Sequence, residues 1–294
     1  DSIARLPGLT AQRFGGRPQE INIRGFAGDF STTTLNGREQ VSLGNNRGVE
    51  FDQYPSELVS QALVYKTYDA QLIGQGLSGT VDLHTIRPLA FGKRAFAANL
   101  RADMNNVGGE KEYGERYSFS YIDQFADNTI GVAIGVAELD SPFQEQHYKA
   151  WWWANTTRFN APVPGKPADA AMLEGAEIWA RSRDQVRDGV MGVLEYKPND
   201  MVHSVLDVYY SKFEQKETMR GIMWSQDPWT GNNVTLSNAV TANLGGASVV
   251  TSGTVNRVEP IVRNDKNGRD DSMYSIGLKN EFQLSEHWSI SADG

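Results

Sequence analysis

The side chains able to do chemistry are few and scattered. The four histidines, His84, His147, His203 and His287, stand far apart, and none has a metal-ligand spacing. The absence of cysteine removes thiolate metal sites, cysteine nucleophiles and disulfides together. No His-Glu-x-x-His helix and no Gly-x-Ser-x-Gly elbow occurs. Carboxylates such as Glu57, Asp207 and Glu214 are abundant, but any long chain offers pairs of them. Gly74-x-Gly76-x-x-Gly79 fits a dinucleotide fingerprint, which needs a following helix whose N-terminus meets the pyrophosphate. Here Thr80-Val81-Asp82-Leu83 follows and reads as a strand. No catalytic residue, metal site or cofactor is expected, and an enzyme is the weaker class.

Tryptophan offers a different chemistry. Trp151-Trp152-Trp153 falls in one long segment, and Trp224 and Trp229 at the start of another. Exposed indoles stack on sugar rings and other apolar ligand surfaces. Two blander readings are weighed ahead of that one: an aromatic girdle at a membrane interface, and packing of loops on each other.

The elements that must carry these residues differ in texture on either side of a seam at residues 88–93. Before it, short apolar runs are punctuated by glycine. Ile21 and Ile23 run into Gly25. Thr33-Thr34-Leu35 leads into Asn36-Gly37, a hairpin-turn dipeptide because both positions must take positive φ. Residues 54–59 read as a short helix with Pro55 in its first turn, and residues 62–65 and 80–85 as strands. Pro88 then stops that ladder. Residues 1–90 are expected to form a small mixed α/β domain.

Residues 91–294 alternate. Phe96, Ala98, Leu100, Ala102 and Met104 share one face; so do Tyr117, Phe119 and Tyr121, and Ile130, Val132, Ile134 and Val136. Val190, Gly192, Leu194 and Tyr196 follow, then Leu206, Val208 and Tyr210, then Tyr274, Ile276, Leu278 and Phe282. Period two repeated this often predicts antiparallel sheet with one apolar face. The links at 123–128, 197–201 and 285–287 are short, as is 107–114, whereas 139–184 and 214–271 are long. Short turns at one end and long loops at the other mark an outer-membrane barrel, with periplasmic turns and extracellular loops. A soluble β-sandwich needs no such asymmetry. About seven strands are expected. Small barrels close at about eight and plugged transporters need about 22, so most of the barrel is expected to lie outside this sequence. No signal peptide opens the chain, and alternation still runs at Ser289-Ile290-Ser291-Ala292, so both ends read as trimmed.

The first 90 residues resemble the plug of TonB-dependent outer-membrane receptors. The matches come in the family's order: Leu6-Pro7-Gly8, Ile23-Arg24-Gly25-Phe26, Leu35-Asn36-Gly37-Arg38-Glu39, and the stretch from Phe51 to Val59. Val64-Tyr65-Lys66-Thr67, Gly76-Leu77-Ser78-Gly79-Thr80-Val81-Asp82-Leu83 and Arg87-Pro88 complete the set. The nearest likeness is to the branch abundant in Xanthomonas- and Caulobacter-type bacteria, many of whose members take up carbohydrates. The resemblance implies an α+β plug inside an antiparallel transmembrane β-barrel. It implies active uptake of a bulky nutrient, a carbohydrate ahead of an iron-siderophore, in the outer membrane of a Gram-negative bacterium. The partners implied are outer-membrane lipid, an extracellular small-molecule or oligosaccharide ligand, and the TonB energising complex, acting through a segment upstream of residue 1. By the same resemblance the loops at 26–32 and 40–49 reach the extracellular vestibule, which makes Asp29, Phe30, Asn45, Asn46 and Arg47 ligand-contact candidates. Ordinary turn chemistry of Asn and Asp is the bland alternative. Arg24, Arg38 and Arg47 are expected to face a polar wall carrying Arg101, Asp103, Arg116 and Glu195, or to pair within the plug.

The net charge of −8 and pI of about 5.1 argue against a nucleic-acid partner, which would need a basic stripe. Two other classes stay open: an adhesive or structural outer-membrane protein, which would ignore the energising complex, and a surface hydrolase, which would turn over a substrate.

Overall fold

The computed structural model describes residues 6–14, 17–43, 46–51, 54, 56–70, 72, 74–154, 163–225 and 234–294. In the first part, β1 (Leu9–Phe14) and β2 (Arg17–Ile23) pair antiparallel. Strands β3 (Ser31–Leu35), β4 (Arg38–Glu39), β5 (Val59–Tyr65) and β6 (Gly79–Thr85) form a second sheet in the order β4-β3-β6-β5, with β3 parallel to β6. Ile23, Leu35, Leu58, Val81 and Leu83 are buried. The β3–β4 turn is the expected one: Asn36 and Gly37 take φ of 53° and 81°. Asp82 fastens it from beneath. Its Oδ1 accepts hydrogen bonds from Thr34 Oγ1 at 2.6 Å and from the Gly37 N–H at 2.9 Å. The short helix expected at 54–59 is instead one 3-10 turn, Ser56–Leu58, and β5 already begins at Val59. Val59, Gln61 and Ala62 pair with β6, with a register shift at Ser60, rather than continue a helix.

A single turn of helix, α1 (Pro88–Phe91), opens with proline and is capped by Gly92 in the left-handed region. Ten strands follow: β7 (Ala95–Val107), β8 (Glu110–Phe125), β9 (Ile130–Asp140), β10 (Phe143–Ala154), β11 (Met172–Asn199), β12 (Val202–Ser225), β13 (Thr235–Leu244), β14 (Ala247–Asn256), β15 (Ile261–Gln283) and β16 (Ser289–Asp293). Eight of them make one antiparallel sheet in the order β16-β15-β12-β11-β9-β8-β7, with β10 also paired to β11. The sheet does not close among the described residues.

Strands β9 and β10 act as one long strand. Asp140 faces Val186 and Phe143 faces Arg183 on the same partner, β11. Ser141-Pro142 makes the jog between them, where proline has no N–H to give.

The alternation read from sequence sorts the faces as expected. Phe96, Leu100, Phe119, Ile134, Val190, Leu194, Tyr274 and Ile276 are exposed on the outer side, while Met191, Val193, Val205, Asp207, Tyr209 and Ser211 are buried on the inner side. On β11 the outward apolar stretch runs over Val190, Gly192, Leu194 and Tyr196. From Val190 to Tyr196 this is about 20 Å of strand at roughly 3.3 Å per residue, and with its neighbours it forms an apolar belt across the outer face. No helix among the described residues is long and apolar enough to cross a membrane.

The two long segments are corrected by the structure. They are not loops throughout, because β10, β11, β12 and β15 continue well past the belt as a four-stranded arm. The β13–β14 hairpin returns onto this arm. The Ala171 N–H donates to Ser248 O and the Val250 N–H to Ala171 O, both at 2.8 Å, and the Leu236 N–H donates to Pro164 O at 2.8 Å. Ala170, Met172, Val234 and Leu236 are buried there. The plug and the inner face of the sheet share one apolar cluster: Leu58, Val81 and Leu83 belong to it with Ile122, Met191, Val205, Tyr209 and Met273.

Candidate functional site

Polar groups concentrate where the first domain meets the inner face of the sheet, at two heights. The lower joint centres on Asp207, buried on β12. Its Oδ1 accepts from Thr85 Oγ1 and Arg87 Nη1, both at 3.0 Å, and its Oδ2 from Arg38 Nη1 at 3.1 Å. Arg38 also pairs with Asp293 on β16 at 2.6 Å. The turn at Asn36-Gly37 aims Arg38 outward from the plug sheet, and Gly277 on β15 leaves room for it, since a Cβ there would collide with the guanidinium. One residue-pair layer lower, the Leu89 N–H donates to Glu195 Oε2 at 2.9 Å. His203 sits between Glu195, at 2.7 Å, and Glu281, at 3.3 Å. A buried carboxylate without such partners would cost several kcal/mol, on the order of the penalty for an unpaired buried charge.

The upper joint is built from Glu50 of the plug and Arg187 of β11, which form an ion pair. The Arg187 and Arg269 guanidiniums lie over the Phe213 ring at 4.8 and 5.0 Å. Between the two heights Tyr54 stacks on Tyr209, with centroids 4.8 Å apart and planes at 26°. Beside the upper joint lies a cavity of about 350 Å³. Amides of Gln19, Asn46, Gln185 and Gln215 line it, with Glu20 and Arg183. Glu20 is wedged between Gly28 and Gly48, where added Cβ atoms would come within 2.6 and 2.5 Å of its carboxylate. Burial pushes its carboxyl above the usual range; the Asn46 amide, donating at 2.8 Å, pulls the other way, and Asp29 and Glu50 add to the rise.

The candidates read from sequence fall into two groups. Asp29 and Phe30 are exposed on a 3-10 turn, Gly28–Phe30, and Phe26 packs edge-on against Phe30 at 5.7 Å. Asp29 Oδ1 accepts the Arg47 N–H at 3.1 Å, and Asn46 reaches Glu20, so four of the five plug candidates gather at one end of the plug. Asn45 lies outside the described residues. Trp151, Trp152 and Trp153 are not on a loop; they end strand β10, where two register shifts interrupt its pairing with β11. Such bulges re-aim side chains. Trp152 and Trp153 are exposed, whereas Trp151 packs over Gly175, where a Cβ would lie 2.9 Å from its ring. Trp224 is on β12, opposite Ala176 rather than in a loop, and Trp229 lies outside the described residues. Gly175 stands 8 residues farther along β11 than Arg183, about 26 Å at 3.3 Å per residue, so the tryptophans and the cavity are separate.

Of the expected wall contacts, Arg38 and Glu195 reach across the joint. Arg24 stays exposed with φ of 56°, and Arg101 and Arg116 face each other in register on the inner side. Glu50, Arg187, Phe213, Arg269 and Tyr54 escaped the sequence reading. The available signal was parity: Arg187 and Phe213 stand on the odd positions of β11 and β12 that the outward apolar residues leave for the inner face. Among the described residues no group of three His, Asp or Glu is arranged to hold a metal.

Residues 1–81 match the family described as TonB-dependent Receptor Plug Domain. No curated protein matches the chain. Among solved structures, the ferric enterobactin receptor PfeA in complex with BCV-L6 is similar, with a TM-score of 0.40 and 11% identity, over 99% of this chain and 45% of that one. The siderophore receptor PirA from Acinetobacter baumannii gives a TM-score of 0.41 and 12% identity, over 96% and 42%. The ferric citrate transporter FecA in the unliganded form gives 0.36 and 11%, over 99% and 59%. The chain thus spans about half the length of these receptors. The family match covers the first domain, which is followed in this chain by a long antiparallel sheet.

Proposed function

We propose that this chain is the N-terminal part of a transporter that takes up a bulky, polar nutrient across the outer membrane, with residues 1–90 as plug and 91–294 as wall. The observation that carries this reading is the joint itself. Beside the shared apolar cluster, ion pairs and hydrogen bonds at Asp207, Glu195 and Arg187 join the plug to the inner face, contacts that water can replace if the plug moves. An adhesin would have no use for a polar, releasable seal. Drive would come from the TonB energising complex acting on a segment before residue 1. The ligand would meet Asp29, Phe30, Asn46 and Arg47 at the plug apex and Trp152 and Trp153 on the arm, with Trp151 and Trp224 on the same arm; Asn45 and Trp229 remain candidates by sequence alone. The exposed indoles support a carbohydrate, while the cavity, lined by four amides and by Glu20, Glu50, Arg183, Arg187 and Arg269, suits a polar ligand of either class. The test is uptake of labelled oligosaccharides and of ferric siderophores by cells carrying the full-length receptor, with and without the energising complex. Uptake of one class that disappears without the complex is expected. Uptake that persists without it, or none of either class, would overturn the reading.

A further inference from the structure

The inner wall carries one spot of charge that nothing balances. Arg101 on β7 and Arg116 on β8 stand directly opposite each other in register, both on the inner side. Like charges so placed repel. Neither guanidinium has an ion-pair or hydrogen-bond partner among the described residues. Asp103, the one carboxylate on that face of β7, stands two positions farther out and forms no ion pair with either. The other inner-face arginines of the sheet all have a carboxylate. Arg181 lies 3.4 Å and Arg183 2.8 Å from Glu217, and Arg269 2.5 Å from Asp271. Arg187 pairs with Glu50 and Arg263 with Asp265. The uncompensated pair is thus an exception on this wall, in a chain whose net charge is −8.

Register also fixes where the pair sits. Arg101, Arg116, Leu139, Arg187 and Phe213 lie on one line across β7, β8, β9, β11 and β12. Leu139, Arg187 and Phe213 are buried, Arg116 is half-buried and Arg101 is exposed. The line therefore runs from the upper joint out to open wall. Arg116 is two strands from Arg187, about 10 Å at the usual strand spacing. That places the pair at the height of the cavity, which Arg187 lines.

We propose that Arg101 and Arg116 form a clamp for an anionic group of the nutrient, a carboxylate held between two planar forks of donors. The inference rests on the uptake reading and narrows its ligand. With indoles exposed on the arm, the carboxylate belongs to a sugar, and the nutrient is an acidic oligosaccharide.

The experiment measures binding to the full-length receptor in detergent by isothermal titration. The probes are oligogalacturonate, oligoalginate and ferric citrate. Each oligosaccharide is also tested with its carboxyls reduced to alcohols. Wild type is expected to bind one acidic oligosaccharide, and its reduced form about tenfold more weakly. The double variant Arg101→Gln, Arg116→Gln should bind both forms alike, at the weaker level. Arg101→Lys with Arg116→Lys keeps the charge, loses the forks and should fall between. Heat-modifiable migration reports assembly of each variant. A preference that survives in the glutamine variant, or no binding of either acidic oligosaccharide, would overturn the proposal. So would a glutamine variant that fails to assemble, since the pair would then hold the wall together rather than a ligand. Ferric citrate bound through the two arginines in place of the sugars would keep the clamp and overturn the acidic sugar. Energised uptake of neutral sugars alone would sink the clamp and leave the uptake reading standing; arginine-dependent titration without energised uptake would do the reverse.

Discussion

Asp207 shows how much can rest on one carboxylate. Three plug groups, from Arg38, Thr85 and Arg87, converge on it while it is 5% exposed. Asp207→Asn would leave two guanidiniums facing a neutral amide. The expected cost to plug docking is about 2 kcal/mol, or roughly 30-fold faster hydrogen exchange over residues 31–39 and 79–87. Gly277→Ala should give the same signature without touching a charge, because the new methyl displaces Arg38. Glu20 sets a pH dependence. Its carboxyl is raised by burial, so the folded plug holds that proton more tightly than the unfolded chain. Stability from this group is full below the unfolded value of about 4.5 and falls as pH rises through the raised folded value. Exchange at residues 46–50 should therefore quicken across that window, and Glu20→Gln should flatten the profile. Little of this was legible in the sequence. Arg38 could be read, because Asn36-Gly37 announces a turn that aims its neighbour. Arg187 and Glu50 could not, because their pairing joins positions 137 residues apart through the docking of two domains.

At the scale of elements, period two located the strands inside the belt but failed above it. Beyond the belt both faces of a strand meet water or other polar surface, so the hydropathy alternation fades while the backbone pairing continues. The stretch from Lys212 to Arg220 shows this: Glu214, Lys216 and Arg220 face one way, Gln215, Glu217 and Met219 the other, yet the ladder to β11 is unbroken. The same blindness put Trp151–Trp153 and Trp224 on loops. The arm also explains how residues 163–171 are held, since β13–β14 is stitched to them. Leu236→Ala removes a side chain that is 4% exposed in that contact. A loss of about 2–3 kcal/mol is expected locally, seen as faster proteolysis within 163–171 while barrel migration stays unchanged.

For the whole molecule, the two faces of the sheet answer to different solvents, and substitutions should divide accordingly. Ile134→Lys places a charge in the middle of the belt and should cost about 2–4 kcal/mol of assembly. Asn99→Lys, on the inner face of β7, should leave the heat-modifiable fraction as in wild type. The longest hairpin carries a further implication. Strands β11 and β12 pair without a shift from Gly175↔Ser225 to Tyr196↔Ser204, 22 successive positions. Sliding this ladder by one residue would rotate Glu195 onto the outer face and bring Val190 and Leu194 inward. The misplaced carboxylate and the lost apolar burial both fall within the belt, where a bilayer would penalise them. On the proposed outer-membrane placement, the bilayer would select against misaligned copies of a hairpin most of whose length lies outside it, before the plug has anything to dock against.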